Sequence, residues 1–242
     1  MTKEVSILNI PFEIITDWLG DTLTLDEKQR QRLQKYAELL CLWNEKMNLT
    51  AITDPEGIAV KHFLDSMTVF KFAEIKQNSR VIDVGTGAGF PGLVMKIVRP
   101  DLEITLLDSL AKRIGFLDEV IKTLGLDGIS TVHSRAEDGA AKYRESFDIA
   151  VARAVAAMPV LCEYCLPYVK VGGRFIAMKG QSVLAEAESA ESAVRILGGK
   201  MQPPAVFSLY DAGTRGIITV EKISQTPLKY PRNPAKISKS PL

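Results

Sequence analysis

Apolar positions along this chain follow two periods, and the change between them falls near residue 76. In the first part Leu33, Tyr36, Ala37, Leu40, Trp43 and Met47 recur at three and four residues, the spacing of an amphipathic helix. Thr24 followed by Glu27 has capping-box spacing, so a long helix is predicted over about residues 25–47. Asn44 and Asn48 suit its end and Trp43 its buried face. After the turn-rich NLTAITDPEG, the segment KHFLDSMTVFKFAE reads as a further amphipathic helix. Residues 1–75 are therefore expected to form a helical region.

From Arg80 onward, short apolar runs alternate with helical patterns. RVIDV, EITLLD, GISTVHS, FDIAVARA and GGRFIAMKG read as strands, with GLVMKIV, SLAKRIGFLDEVIKTLG and MPVLCEYCLPYV as helices between them. Such alternation predicts βαβ units and a mostly parallel sheet with helices on both faces. Gly172 and Gly173 are expected to make the turn into the fifth strand, and a helix is expected over about residues 182–197. AVFSLY and GIITVEKI, separated by DAGTRG, predict an antiparallel hairpin at the end. The sheet region is thus 76–224, and 225–242 is a tail. From Lys222 to the end the chain carries five basic residues, four prolines and no acidic residue, a composition that favours a solvated, partly disordered tail over an arm that meets phosphate.

Composition narrows the class. With 46% hydrophobic residues the chain can bury a large core, and Lys+Arg 30 against Asp+Glu 29 argues neither for nor against a nucleic-acid partner. The polar opening MTKEVS, three cysteines and no long apolar span lead us to expect a cytoplasmic protein that meets no membrane. Cys162 and Cys165 suit the apolar face of a helix, and the two histidines, His62 and His133, lie far apart, so no metal is expected.

The chemistry centres on RVIDVGTGAGFPG. A buried strand ending at Asp83 runs into Gly85, Gly87, Gly89 and Gly92, with Pro91 where a helix begins. Ligands of open α/β sheets bind beyond the carboxyl ends of the strands, so this turn is the expected ligand site. Gly87 to Gly92 also satisfies the dinucleotide pattern G-x-G-x-x-G. Asp108, ending the second strand, can accept from ribose hydroxyls or cap the helix that follows. Asp83 weighs against a pyrophosphate, which it would repel, and for the ammonium and sulfonium of S-adenosyl-L-methionine.

These residues carry a resemblance. DVGTGAGFPG, LLDS, SRAED after the third strand, RA after the fourth and MKGQ after the fifth resemble the Rossmann-like S-adenosylmethionine-dependent methyltransferases. With WNEKMNLTAI and HFLDS in the helical region, they are similar more narrowly to the bacterial small-subunit ribosomal RNA methyltransferase G family, also called glucose-inhibited division protein B, over roughly residues 43–181. The resemblance implies a Rossmann-like methyltransferase sheet and methylation of guanosine N7 in 16S ribosomal RNA, presented as RNA or as a 30S assembly particle. It also implies that Gly85, Gly87, Gly89 and Phe90 line the methionine half of the cofactor, with Asp108 at the ribose, Ala136 and Glu137 beside the adenine and Arg153 bordering the reaction centre. Phe90 suits the core equally well, and Glu137 suits the first turn of a helix.

Guanine N7 has an in-plane lone pair and no proton, so no catalytic acid, base or nucleophile is expected. Arg153 and Lys179 are the candidates for phosphate or guanine contacts, and Lys179 also reads as an exposed strand-end charge. Lys112 and Arg113 with Arg232 of the tail would extend a basic RNA face. The competing readings are an NAD-dependent dehydrogenase and a non-catalytic RNA-binding assembly factor.

Overall fold

The computed structural model describes residues 8–242. The helical region opens with α1 (Phe12–Leu19) and α2 (Glu27–Met47). Its second half, residues 55–72, comprises α3 (Pro55–Gly57), a π-helical segment (Ile58–Leu64), α4 (Asp65–Met67) and α5 (Val69–Phe72). The cap of α2 is Asp26, not Thr24. The Asp26 carboxylate accepts from Gln29 N at 2.7 Å, and Gln29 Oε1 accepts from Asp26 N at 2.9 Å, a capping box two residues later than expected. Asn48 closes α2 in the left-handed region (φ 49°), as its residue type allows.

The sheet contains β1 (Arg80–Val84), β2 (Glu103–Asp108), β3 (Ile129–His133), β4 (Phe147–Arg153), β5 (Val169–Lys179), β6 (Gly199–Met201), β7 (Ala205–Ser208) and β8 (Thr214–Lys222). Its order is β3-β2-β1-β4-β5-β8-β6, with β7 also paired to β8. The first five strands are parallel, and β8 is antiparallel to β5. β6 and β7 share the outer edge of β8, interrupted at Pro203 and Pro204, which have no N–H to give to a ladder. The hairpin of β7 and β8 is as expected; the three-residue β6 has too little apolar pattern to be read.

Between the strands lie α6 (Gly92–Val98), α7 (Ala111–Leu124), α8 (Ala136–Lys142), α9 (Met158–Cys165), α10 (Val183–Ser189) and α11 (Glu191–Ile196), with α12 (Pro234–Lys239) in the tail. Successive strand residues point to opposite faces. Val81, Ile104, Val151 and Ile176 join one apolar cluster with the helical region, α6 and α7. Ile82, Leu107, Ala150 and Phe175 join the other with α9, α10 and α11, where Cys162 and Cys165 are fully buried. The chain order of neighbouring strands reverses between β1 and β4, so the ligand crevice lies at their carboxyl ends.

Three further expectations are corrected. Gly172 and Gly173 lie inside β5 rather than before it, in an irregularity where pairing jumps from Phe147↔Val169 to Ile149↔Arg174. The helix expected over 182–197 breaks at Ala190 into α10 and α11. The tail is folded: Tyr230 and Ile237 are buried, and Asn233 caps α12 by accepting from Ala235 N at 2.9 Å. No helix among the described residues is long and apolar enough to cross a membrane.

Candidate active site

At the end of β1 the chain turns through Gly85, Gly87 and Gly89, all at positive φ. Two of these differ in what a side chain there would meet. A Cβ on Gly89 (φ +102°) would lie 2.7 Å from the Tyr36 hydroxyl, whereas one on Gly87 (φ +61°) would meet nothing, because Gly87 faces open space.

Asp83 lies behind this turn and is fully buried. Its Oδ2 accepts from Thr86 Oγ1 at 2.6 Å and from Gly92 N at 2.8 Å, while Oδ1 finds no hydrogen-bond partner among the described residues. Gly92 begins α6, so the backbone donor that a pyrophosphate would take at that helix start already holds a carboxylate. Burial pushes the Asp83 carboxyl up to about 6, against the opposing effect of its two hydrogen bonds. The expectation that Asp83 discriminates against a dinucleotide therefore acquires a different cause: the side chain closes the loop from within instead of facing the ligand.

Asp108, at the end of β2, is 2% exposed. Its Oδ1 accepts from Leu110 N at 2.9 Å, and its Oδ2 from Gly87 N at 2.9 Å and Arg113 Nη1 at 3.3 Å. It both starts the turn into α7 and braces the glycine loop. Beside it opens a cavity of about 480 Å³ whose lining includes Gly85, Asp108, Arg113, Ala136, Glu137 and Pro234. An acceptor-only carboxylate suits vicinal hydroxyls, and Leu107, Leu110, Val155 and Ala136 offer apolar surface for a flat purine. With the helix start closed to phosphate, these residues fit S-adenosylmethionine and not a dinucleotide.

Across the segment 154–155 lies a larger cavity of about 960 Å³. Ala154 has φ +56°, a left-handed conformation at the point where the two cavities adjoin. The larger cavity is lined by Lys61, Arg153, Lys179 and Arg215 with the carboxylates of Asp65 and Glu186, a cationic excess suited to phosphate. Arg153 Nη1 donates to Asp65 Oδ2 at 2.8 Å and to Lys61 O at 3.0 Å, and Arg215 Nε lies 3.3 Å from Asp65 Oδ1. The Arg153 guanidinium stands 4.9 Å from the Phe90 ring centroid. Phe90 stacks on His62 at 4.4 Å and on Tyr36 at 5.4 Å, which makes it part of the core. His62 Nε2 is 2.8 Å from Thr50 Oγ1, and its Nδ1 has no partner among the described residues. Burial first, and Arg153 second, push its imidazole down to about 3, so it is neutral at working pH.

A family model described as rRNA small subunit methyltransferase G matches residues 29–209. The chain belongs to this family. The methyltransferase G relative from Acetivibrio thermocellus is 53% identical over 226 residues, covering 92% of this chain and 93% of that one. Among solved structures, YcgJ from Bacillus subtilis aligns with TM-score 0.54 at 14% identity over 67% of this chain and all of that one. TYW2 from M. jannaschii, solved in complex with AdoMet, aligns with TM-score 0.50 at 15% identity over 61% and 71% of the two chains.

For this methyltransferase G chain, the residues expected at the site separate into three groups. Gly85, Asp108, Arg113, Ala136 and Glu137 line the smaller cavity, while Arg153 and Lys179 line the larger. Asp83, Gly87, Gly89 and Phe90 line neither cavity: Gly87 and Gly89 belong to the glycine loop, and Asp83 and Phe90 stand behind it. Lys179 is not an exposed strand-end charge: its side chain is 7% exposed, and Nζ donates to Ala156 O at 2.7 Å and Glu186 Oε2 at 2.6 Å, holding the segment between the cavities. The Arg232 fork is taken up by the fully buried Glu163 instead of being presented to solvent. Asp65, Tyr36 and Arg215 were missed. Asp65 stands in the HFLDS motif, but its bond to Arg153 spans 88 positions and has no local signal.

Proposed function

We propose that this protein transfers the methyl group of S-adenosylmethionine to N7 of a guanosine in 16S ribosomal RNA. The observation that carries this reading is the pair of cavities at the carboxyl ends of β1, β2, β4 and β5, divided by residues 154–155. The smaller has the acceptor and apolar walls for an adenosine, with the start of α6 closed to phosphate by Asp83; the larger has a cationic lining. When bound, the cofactor supplies an electrophilic methyl on a sulfonium.

The chain's own residues have four tasks. Asp108 holds the ribose hydroxyls in place of its Arg113 contact, and Ala136 and Glu137 border the purine. Arg153 and Lys179 face the RNA from positions fixed by Asp65 and Glu186, which limits the reorganisation needed on binding. Arg153 is suited to the guanine O6 edge or an adjacent phosphate. N7 carries no proton, so no side chain has to remove one, and the neutral His62 braces Phe90 without acting as a base.

The test incubates the protein with labelled S-adenosylmethionine and 30S particles from cells lacking the gene, then maps 7-methylguanosine by reverse transcription after chemical cleavage. Label at one guanosine of 16S rRNA is expected. Cofactor binding without label in any rRNA would replace the proposal with an assembly factor that does not turn over. Label at an exocyclic amine would overturn the N7 assignment.

A further inference from the structure

The tail follows a fixed path from β8 to the cofactor cavity. Arg144 donates to Thr226 O at 2.5 Å, Tyr230 O at 2.9 Å and Pro227 O at 3.2 Å, and Glu145 Oε1 accepts from Thr226 N at 2.8 Å. Glu163 of α9, with no exposed surface, accepts from Arg232 N at 2.7 Å, Nε at 2.9 Å and Nη2 at 2.6 Å. A bidentate pair with one partner fully buried fixes direction as well as position. Two residues on, Pro234 enters the lining of the cavity that also contains Asp108, Ala136, Glu137 and Tyr164.

We propose that the tail at Pro234 is a wall of the cofactor site, pinned by the Arg232–Glu163 pair, which makes the tail a determinant of cofactor affinity instead of an RNA arm. This rests on the reading of the smaller cavity as the S-adenosylmethionine site. The Pro234 ring and Tyr164 line the same cavity as Ala136 and Glu137, the residues read as bordering the purine. Pro234 is a positioning residue for the cofactor, and its rigid ring loses little freedom when the ligand docks. Because tail and cofactor share a surface, their effects are reciprocal: a tail in place tightens cofactor binding, and bound cofactor holds the tail.

Calorimetric titration with S-adenosylhomocysteine tests this on the full chain, on a variant ending at Leu228 and on Pro234→Gly, which keeps the Arg232–Glu163 pair. Both variants are expected to bind about tenfold more weakly or worse. Pro234→Gly should melt only a few degrees below the wild type without ligand and show a smaller ligand-induced rise. In the wild type, saturating S-adenosylhomocysteine should slow tryptic cleavage after Lys229 and Lys236. If the wild type binds while Pro234→Gly binds within about twofold of it and cleavage is unaffected by ligand, the tail is not part of the site. If the wild type itself does not bind, and Asp108→Ala behaves identically, the cofactor reading of the cavity falls and the tail proposal with it.

Discussion

Replacing Asp83 with Asn separates the charge of this side chain from its hydrogen bonds. Both protein donors, Thr86 Oγ1 and Gly92 N, reach the same oxygen, so an amide oxygen placed there keeps both bonds. What the substitution removes is the titration. The folded-state carboxyl is raised to about 6 from an ordinary 3.8, so the folded protein binds this proton more tightly than the unfolded chain does. The stability from Asp83 is therefore fully present below about 3.8 and is lost as pH rises through about 6. At 1.36 kcal/mol per pKa unit, the whole change is about 3 kcal/mol, of which about 2 kcal/mol falls between about pH 7.5 and about pH 4.5.

Urea denaturation of wild type and Asp83→Asn across that range measures the difference directly. Stability common to both proteins cancels, and the wild type should gain about 2 kcal/mol on the variant as pH falls. The amide leaves N–H groups where Oδ1 now stands unpartnered, costing about 1–3 kcal/mol at every pH, which shifts the offset without changing the slope. Parallel profiles would refute the claim that this carboxylate is held charged at an energetic cost. A cationic ligand near the loop favours the ionised form, so cofactor binding near pH 6 should release a fraction of a proton, visible in calorimetry with buffers of different ionisation enthalpy.

Two other expectations follow from the same loop and its neighbours. A Cβ on Gly92 would meet the Leu106 side chain and stand 2.8 Å from Asp83 Oδ2, so Gly92→Ala should cost about 1–3 kcal/mol and lower the midpoint of a calorimetric melt by about 2–10 °C. A melt unchanged within about a degree would show that the strand and helix yield easily there. Because the His62 imidazole is pushed down to about 3 and N7 needs no base, single-turnover methylation should be flat from about pH 7 to about pH 9. An inflection in that range that disappears in His62→Gln would place a proton transfer in the reaction.

What could be read beforehand was what local spacing encodes. The parallel strands stood out because both faces of the sheet are covered, so residues such as Val81, Ile82 and Val84 form an apolar run bounded by glycines. The glycine turn and Asp108 stood out as site candidates because they lie at strand ends, whereas Ala136 and Glu137 at the start of α8 came only from the family resemblance. The tail was misread because its composition resembles a solvated segment, and nothing local reveals that Glu163, 69 positions away, waits buried for Arg232. The alternative reading of Lys179 as an exposed charge fails for a related reason: its partners Ala156 and Glu186 come from the neighbouring loop and from α10. Charged residues near a site report their role only through the groups that face them.

The helical region shows the same dependence on distant contacts, and with it a reason for its position. The Tyr36 hydroxyl of α2 donates to Ala88 O in the glycine loop, and the Gln29 side-chain amide donates to Val98 O at the end of α6 at 3.0 Å. From there one path of contacts runs through the whole site: Tyr36 on Phe90, Phe90 on His62 and under Arg153, Arg153 to Asp65, and Asp65 to Arg215 of β8. Phe90 is thus the point at which the loop that shapes the smaller cavity touches the arginine that lines the larger. The Arg153 guanidinium beside the glycine turn is fixed by Asp65 and the carbonyl of Lys61, both from the helical region. The π-helical segment has its use here, because it carries Lys61 and His62 toward the loop just before Asp65 begins the next helical turn. Helical region and sheet therefore build the larger cavity jointly, and the Arg153 guanidinium of β4 is held in it by Asp65 and the Lys61 carbonyl of the helical region.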